Sequence, residues 1–302
     1  MSTKIQRLEA RVIASFGRNF IAQCLESGNQ YRCYTRGKRT DVAVGDYVQL
    51  SPQGDEQAAI EKIHVRRNLL YRSDNQRSKR FAANIDGLFF VVAPAPDFSM
   101  DLAGRAFIAA KNAGVAMQIL LNKADLPAAQ AAKIKLQPLQ ALGIPILTTS
   151  IHDPQRMEDT LRPLLMDRTV LLLGQSAMGK SSILNVLIPD AQAQTREHSQ
   201  ALGAGRHTTT DTRLYALADQ SGYLIDSPGF QAFGLAHLER EELLLGFPDL
   251  HEAMQNCQFY NCTHRHEPNC GVLKALENEH IDEGRYQLYT RIMAEYDARP
   301  RY

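Results

Sequence analysis

A multidomain α/β chain is the fold class this sequence predicts: a small N-terminal β-barrel, a helix-covered parallel sheet around a phosphate loop, and a helical C-terminal segment clipped by a metal. Three observations predict it. Residues 1–75 hold short apolar segments punctuated by glycine. Residues 76–235 alternate strand-sized apolar runs with helix-sized amphipathic ones. Residues 236–302 read as helical, interrupted by a Cys/His cluster. The length of 302 residues suits two or three such domains, and those three ranges are the bounds expected.

In the first range, Arg11–Phe16, Asn19–Cys24, Tyr31–Thr35, Tyr47–Leu50 and Ala59–Val65 read as strands. Gly17, Gly28-Asn29, Gly37, Gly45-Asp46 and Gly54 separate them. Five short strands at this spacing fit an oligonucleotide-binding (OB-type) barrel. Cys24 and Cys33 lie on these strands and read as core residues, not ligands. This range is also basic: residues 1–80 hold fifteen Lys/Arg against eight Asp/Glu, a balance of +7 hidden in a net charge of +1. Such asymmetry points to a polyanion, nucleic acid first, or else to a merely solvated basic surface.

In the second range, Gly87–Ala93, Met117–Leu121, Ile144–Thr148, Thr169–Leu173 and Tyr223–Ile225 read as strands. Ser99–Ala113, Ala128–Leu142, Gln155–Leu165 and Gly179–Leu187 read as helices between them. That alternation predicts a parallel sheet with helices on both faces. None of the apolar runs approaches the roughly 20 residues of a membrane span. The N-terminus, MSTKIQRLEARV, has no apolar stretch of signal-peptide type. A cytoplasmic protein without membrane association is expected.

The segment VLLLGQSAMGKSSILNVLI carries the strongest motif, Gly174-x-x-x-x-Gly179-Lys180-Ser181, between an apolar run and an amphipathic one. Its glycines let the backbone N–H groups from Gly174 through Gln175, Ser176, Ala177 and Met178 to Gly179 curl around phosphate oxygens. The helix N-terminus beneath Ser181 and Ser182 adds partial positive charge. Lys180 suits the β- and γ-phosphates, and the Ser181 hydroxyl suits Mg²⁺. A phosphate loop does not choose the base. Asn122-Lys123-Ala124-Asp125 follows the apolar run AMQILL, and there the Asp125 carboxylate can accept from the ring N–H and exocyclic amine of guanine. Adenine lacks that donor pair. Asn122 can support the base edge and the loop, and the Lys123 stem can pack on the ring. Asp226-Ser227-Pro228-Gly229 follows YLI and suits Mg²⁺ through Asp226 and a γ-phosphate through the Gly229 N–H. The polar stretch Gly205-Arg206-His207-Thr208-Thr209-Thr210 reads as a switch, with either Thr209 or Thr210 closing on Mg²⁺. The base reader precedes the phosphate loop, the reverse of ordinary small GTPases. A circularly permuted sheet accommodates that order, and Thr148-Thr149-Ser150 then serves as a second guanine-supporting loop.

Five cysteines are an odd number, and no secretion signal accompanies them. Cys257, Cys262 and Cys270 with His264 offer three thiolates and an imidazole, a set suited to a closed structural Zn²⁺ site. Reduced free thiols, or a register using His266 in place of His264, are the alternatives.

With NKAD, GQSAMGKSS, GRHTTT, DSPGF and the C-terminal Cys/His cluster, the sequence resembles the RsgA (YjeQ) family of circularly permuted GTPases over nearly its whole length. The resemblance implies an OB-type barrel, a permuted GTPase domain and a zinc domain whose fourth ligand is His264. It implies binding of GTP and GDP, action in late maturation of the small ribosomal subunit, contact with 16S rRNA, and hydrolysis stimulated by the 30S subunit. A monomer is expected. Many GTPases place a glutamine directly after Asp-x-x-Gly to orient water, whereas this chain has Phe230. The resemblance points to His207 as the catalytic substitute, with a solvated loop histidine as the alternative. Two other functions compete: a GTP-dependent RNA-binding switch with little catalytic role, and a phosphate-loop kinase. Asp125 and the lack of an acceptor-binding segment argue against the kinase.

Overall fold

The computed structural model describes residues 7–17, 19–35, 41–73, 78–191, 211–229 and 231–299. Five strands open the chain: β1 (Leu8–Phe16), β2 (Asn19–Cys24), β3 (Gln30–Thr35), β4 (Tyr47–Pro52) and β5 (Gln57–Ile63). They pair in the order β1-β2-β3-β5-β4, and β4 pairs back onto β1, so the barrel closes. The β3–β5 contact is the one parallel pairing in it; the rest are antiparallel. Ala10, Val12, Phe20, Ala22, Cys33, Val48, Leu50 and Ile60 fill its interior. Cys33 is a core residue as expected, and burial pushes its thiol up to about 12.

β1 does more than line the barrel. Its register against β2 shifts between Val12 and Ala14. This bulge changes which face is buried: Ala10 and Val12 point into the barrel, while Ile13 and Ala14 join the larger core beyond it. A hairpin absent from the expected strands follows, β6 (Leu69–Ser73) with β7 (Ser78–Ala83).

The second layer is built on β8 (Gly87–Val92), β9 (Ala116–Leu121), β10 (Ile146–Thr148), β11 (Thr169–Gly174), β12 (Thr212–Ala216) and β13 (Tyr223–Asp226). β10, β9, β8, β11 and β13 are parallel neighbours in that order. Leu171, Leu172 and Leu173 are wholly buried, as a strand covered on both faces requires. β12, also missed in the sequence, runs antiparallel to β13 and pairs with β1. The barrel and the parallel layer therefore share one continuous sheet of eleven described strands.

Helices α1 (Met100–Asn112), α2 (Ala129–Lys135), α3 (Gln137–Ala141), α4 (Pro154–Leu161) and α5 (Lys180–Leu187) pack around that layer. The stretch expected as one helix over Ala128–Leu142 is two. Pro138 has no N–H to give the preceding turn, so it opens a new helix instead of continuing α2. Past residue 236 come α6 (Arg240–Leu244), α7 (Pro248–Met254), α8 (Gly271–Glu277) and α9 (Glu283–Asp297). α9 lies on α1, where Gly104 admits Leu288: a Cβ there would stand 2.2 Å from Leu288 Cδ2. Arg105, nearly buried, joins the two helices by bonding Asp101 at 2.6 Å and Glu295 at 2.6 Å. No described helix is long and apolar enough to cross a membrane.

Gly45 connects the barrel to the hairpin. Its N–H donates to Val12 O at 2.8 Å, its φ is +91°, and a Cβ would lie 2.2 Å from Ala83 O. Gly28 has φ +73° but open space around it. Gly28→Ala is expected to cost about 1 kcal/mol, the left-handed penalty alone, and Gly45→Ala more than about 3 kcal/mol because the backbone must also move. Parallel thermal melts measure this; equal shifts would contradict it.

Candidate functional site

The carboxyl ends of β8, β9, β11 and β13 share one rim of the sheet, and the segments 122–125, 174–181 and 226–229 begin there. β11 ends at Gly174, whose φ is +155° and whose Cβ would stand 2.4 Å from Val91 O. Gly179, at φ +93°, would place a Cβ 2.1 Å from Asn122 Nδ2. A neighbouring strand and a neighbouring loop thus require glycine at the two ends of the phosphate loop. Between them Ser176 and Ala177 are exposed, and Met178 is buried. Ser181 is exposed and Ser182 half-buried on the first turn of α5. Lys180 reaches back inside the curl, its Nζ donating to Gly174 O at 3.0 Å and Gln175 O at 3.1 Å. Burial pulls the Lys180 amine below its ordinary value, and Asp226 partly restores it. The Gln175 side chain faces elsewhere: its Oε1 accepts the Ser99 N–H at 2.8 Å, at the start of α1.

The base-reading segment meets this loop through side chains. Asn122 is wholly buried. Its Nδ2 donates to Met178 O at 3.0 Å and its Oδ1 accepts from Thr149 Oγ1 at 3.1 Å. Both ends of the amide are therefore committed to neighbouring loops. Lys123, at φ +56°, donates to Ala95 O at 2.6 Å and Ala177 O at 2.9 Å, so its stem spans the same gap. The Ala124 N–H donates to Thr149 O at 3.0 Å. Asp125 is left at the surface with its Oδ1 held by the Ser150 hydroxyl and His152 Nε2 3.8 Å from its Oδ2. The Ser150 bond, helped by His152, keeps this carboxyl below its ordinary value. It is an ionised acceptor at the surface of the rim. Ala95, Ser99 and His152 carry no motif of their own, so the sequence offered no signal for them.

Asp226 ends β13 beside Lys180. Burial pushes its carboxyl up to about 6 against the pull of Lys180. Asp226 Oδ1 and Ser227 Oγ are buried without a hydrogen-bond partner among the described residues. A buried, unpaired carboxylate oxygen is costly unless something else comes to it, and a hydrated divalent cation fits that vacancy in the donor set. Gly229 lies on the phosphate loop: a Cβ there would be 2.8 Å from Ser176 Oγ. His207, Thr209, Thr210 and Phe230 fall outside the described residues.

At the other end of the chain Cys257, Cys262, His264 and Cys270 bring four ligand atoms within 4.8 Å of one another. Cys257 Sγ and Cys270 Sγ are 3.9 Å apart, and each is 3.5 Å from His264 Nδ1. Sulfurs bound at ~2.3 Å to a tetrahedral zinc stand about 3.8 Å apart, so the set fits such an ion. The Gly271 N–H approaches Cys257 Sγ at 3.3 Å and the Leu273 N–H approaches Cys270 Sγ at 3.5 Å, as thiolates favour. Tyr286 fixes the His264 carbonyl at 2.7 Å. His266 is exposed and stands outside the cluster. The alternative register is thereby set aside.

Comparison with known proteins agrees with this geometry. The family model described as RsgA GTPase matches residues 63–236. The "Small ribosomal subunit biogenesis GTPase RsgA" of Bordetella pertussis is 53% identical over 291 residues, covering 96% of this chain and 97% of that one. Its namesake in Burkholderia pseudomallei is 47% identical over 292 residues, covering 96% and 93%. Among solved structures, YjeQ from Thermotoga maritima superposes with a TM-score of 0.70 at 27% identity, covering 98% of this chain and 100% of that one. YloQ, titled a circularly permuted GTPase, gives 0.66 at 25% identity, covering 100% and 99%. A phosphate loop braced by a base-reading loop that precedes it in sequence, on a permuted sheet matched along nearly its full length, makes this chain a member of the RsgA family of circularly permuted GTPases.

Proposed function

We propose that this GTPase acts in late maturation of the small ribosomal subunit. It docks on the 30S particle through 16S rRNA, hydrolyses GTP faster when docked, and leaves afterwards. The observation that carries the nucleotide half is the rim itself, where the exposed Asp125 carboxylate, the Lys180 cradle and the unpartnered Asp226 oxygen follow the ends of strands of one parallel layer. The names of the relatives and the closed barrel support the ribosomal half. Part of the basic surplus is used internally, by Arg66 on Asp46 and Arg67 on Asp86. Arg7 and Lys62 remain exposed for phosphates.

In this reading residues 1–75 bind RNA, 76–235 turn over GTP and 236–302 form a zinc-stiffened helical domain. The protein works as a cytoplasmic monomer. Asp125 selects guanine, with Asn122, Lys123, Ala124 and Ser150 holding it in place. The backbone from Gly174 to Ser182 takes the phosphates, and Lys180 neutralises them. Mg²⁺, when bound, supplies further positive charge to the phosphates; Ser181, Asp226 and one of Thr209 or Thr210 would hold it. Gly229 offers its N–H to the terminal phosphate. Phe230 cannot orient water, so the intrinsic rate is low and His207 positions water when the subunit is present.

Full-length protein should hydrolyse GTP at least about tenfold faster with isolated 30S subunits than alone or with 50S subunits. His207→Ala should lose about a hundredfold of the stimulated rate while keeping GTP affinity. Equal rates with and without 30S would sink the ribosomal reading. Full stimulated turnover in His207→Ala would sink only the catalytic assignment. Metal analysis should find one zinc per chain, and Cys262→Ser should lose it together with several degrees of melting temperature. Protein purified without zinc and melting normally would contradict the metal reading.

A further inference from the structure

One row of backbone pairs runs from the barrel to the nucleotide site. Ala14 on β1 pairs with Arg213 on β12. Arg213 pairs on its other side with Asp226 on β13, and Asp226 with Leu172 on β11. The barrel thus stands two strands, about 10 Å, from the carboxylate assigned to Mg²⁺. Residues directly opposite in an antiparallel ladder share a face, so Ala14, Arg213 and Asp226 lie on the same side of the sheet.

Arg213 is an unusual residue for that place. It is the one charged residue of β12, and it is buried. An aliphatic side chain would fill a central strand without the desolvation that a guanidinium suffers there. Its guanidinium crosses the seam and lies 4.7 Å from the centroid of the Phe16 ring on β1. The Asp211 carboxylate is 3.9 Å away, on the residue just before the strand. β12 begins at Thr212, two residues beyond the switch threonine Thr210 in sequence.

β1 grips the same layer at its other end. Arg11 Nη2 donates to Thr169 Oγ1 at 2.8 Å, and its guanidinium lies 4.8 Å from the Tyr223 ring. Thr169 and Tyr223 are the paired first residues of β11 and β13. The barrel strand therefore touches the starts of the two strands that end in the phosphate loop and Asp226. It also pairs with the strand that leads out of the switch.

We propose that Arg213 is a positioning residue through which RNA held on the barrel adjusts the nucleotide site: β1 carries β12, and β12 carries the backbone of Asp226 and the exit of the switch segment. This rests on the reading that RNA docking stimulates hydrolysis. Coupling of this kind is reciprocal, so nucleotide binding must also be felt on β1.

That reciprocity permits a test in the full chain without ribosomes. Mg²⁺ with a non-hydrolysable GTP analogue should slow amide hydrogen exchange at residues 13–16 by about five- to tenfold. Phe16→Leu, which keeps apolar volume but removes the ring face, should reduce that effect to below about twofold while leaving the analogue's protection of residues 171–174 intact. With 30S subunits, Phe16→Leu should lose about five- to tenfold in stimulated kcat, at unchanged basal kcat and unchanged subunit affinity. Arg213→Lys should keep most of the stimulation and Arg213→Met should not. No change at residues 13–16 in the wild type, or full stimulation in both Phe16→Leu and Arg213→Met, would overturn the proposal. So would an equal loss of basal and stimulated turnover in Phe16→Leu, which marks an ordinary packing role. If the wild type is not stimulated by 30S at all, the functional reading fails, and the exchange result still decides the seam.

Discussion

The buried amide of Asn122 is the contact on which the nucleotide site depends. It donates to the phosphate loop at Met178 and accepts from Thr149, in the loop after β10. Three segments that lie far apart in the chain meet at one wholly buried side chain. In a low-dielectric setting a fully satisfied amide is strong, and one left half-satisfied is costly, so the three loops hold one arrangement. This is also why permutation is tolerated. The loops are joined by side-chain bonds across the rim, and those bonds do not depend on where the chain begins.

Around that contact the protein accepts local costs. Asp226 carries an unpaired oxygen in a setting that favours its protonated form, and Lys180 is desolvated beside it. Neither arrangement serves the stability of the chain alone. Together they form an environment completed by phosphate and a cation, which is how a binding site differs from a core. The metal cluster at the far end is different in kind. Its four side chains are close-packed, and its carbonyl and thiols are met by Tyr286, Gly271 and Leu273, so an ion held there would be left no open coordination position.

Much of this was legible in the sequence because it rests on short-range chemistry. The strands over 11–16 and 19–24, the glycines of the phosphate loop and the ligand set at 257–270 each follow from local pattern. What was hidden depends on distant partners. β12 is only five residues long and contains a buried arginine, so no apolar period marks it. The β6–β7 hairpin is rich in Arg and Lys and lacks clean alternation. A sequence cannot show that the amide of Asn122 is taken by Met178 and Thr149. The ties from Gln175 to Ser99 and from Lys123 to Ala95 join residues that no spacing relates.

If Asp125 reads guanine at a site assembled from permuted loops, base preference must follow that one carboxylate. Calorimetric binding of GTP and xanthosine triphosphate to the wild type and to Asp125→Asn tests it most directly. Asparagine keeps one acceptor for the ring N–H and turns the other group into a donor, which suits a 2-oxo group in place of a 2-amino group. Asp125→Asn should lose about a hundredfold in GTP affinity and come to bind xanthosine triphosphate more tightly than GTP. Undiminished GTP binding in Asp125→Asn would contradict it.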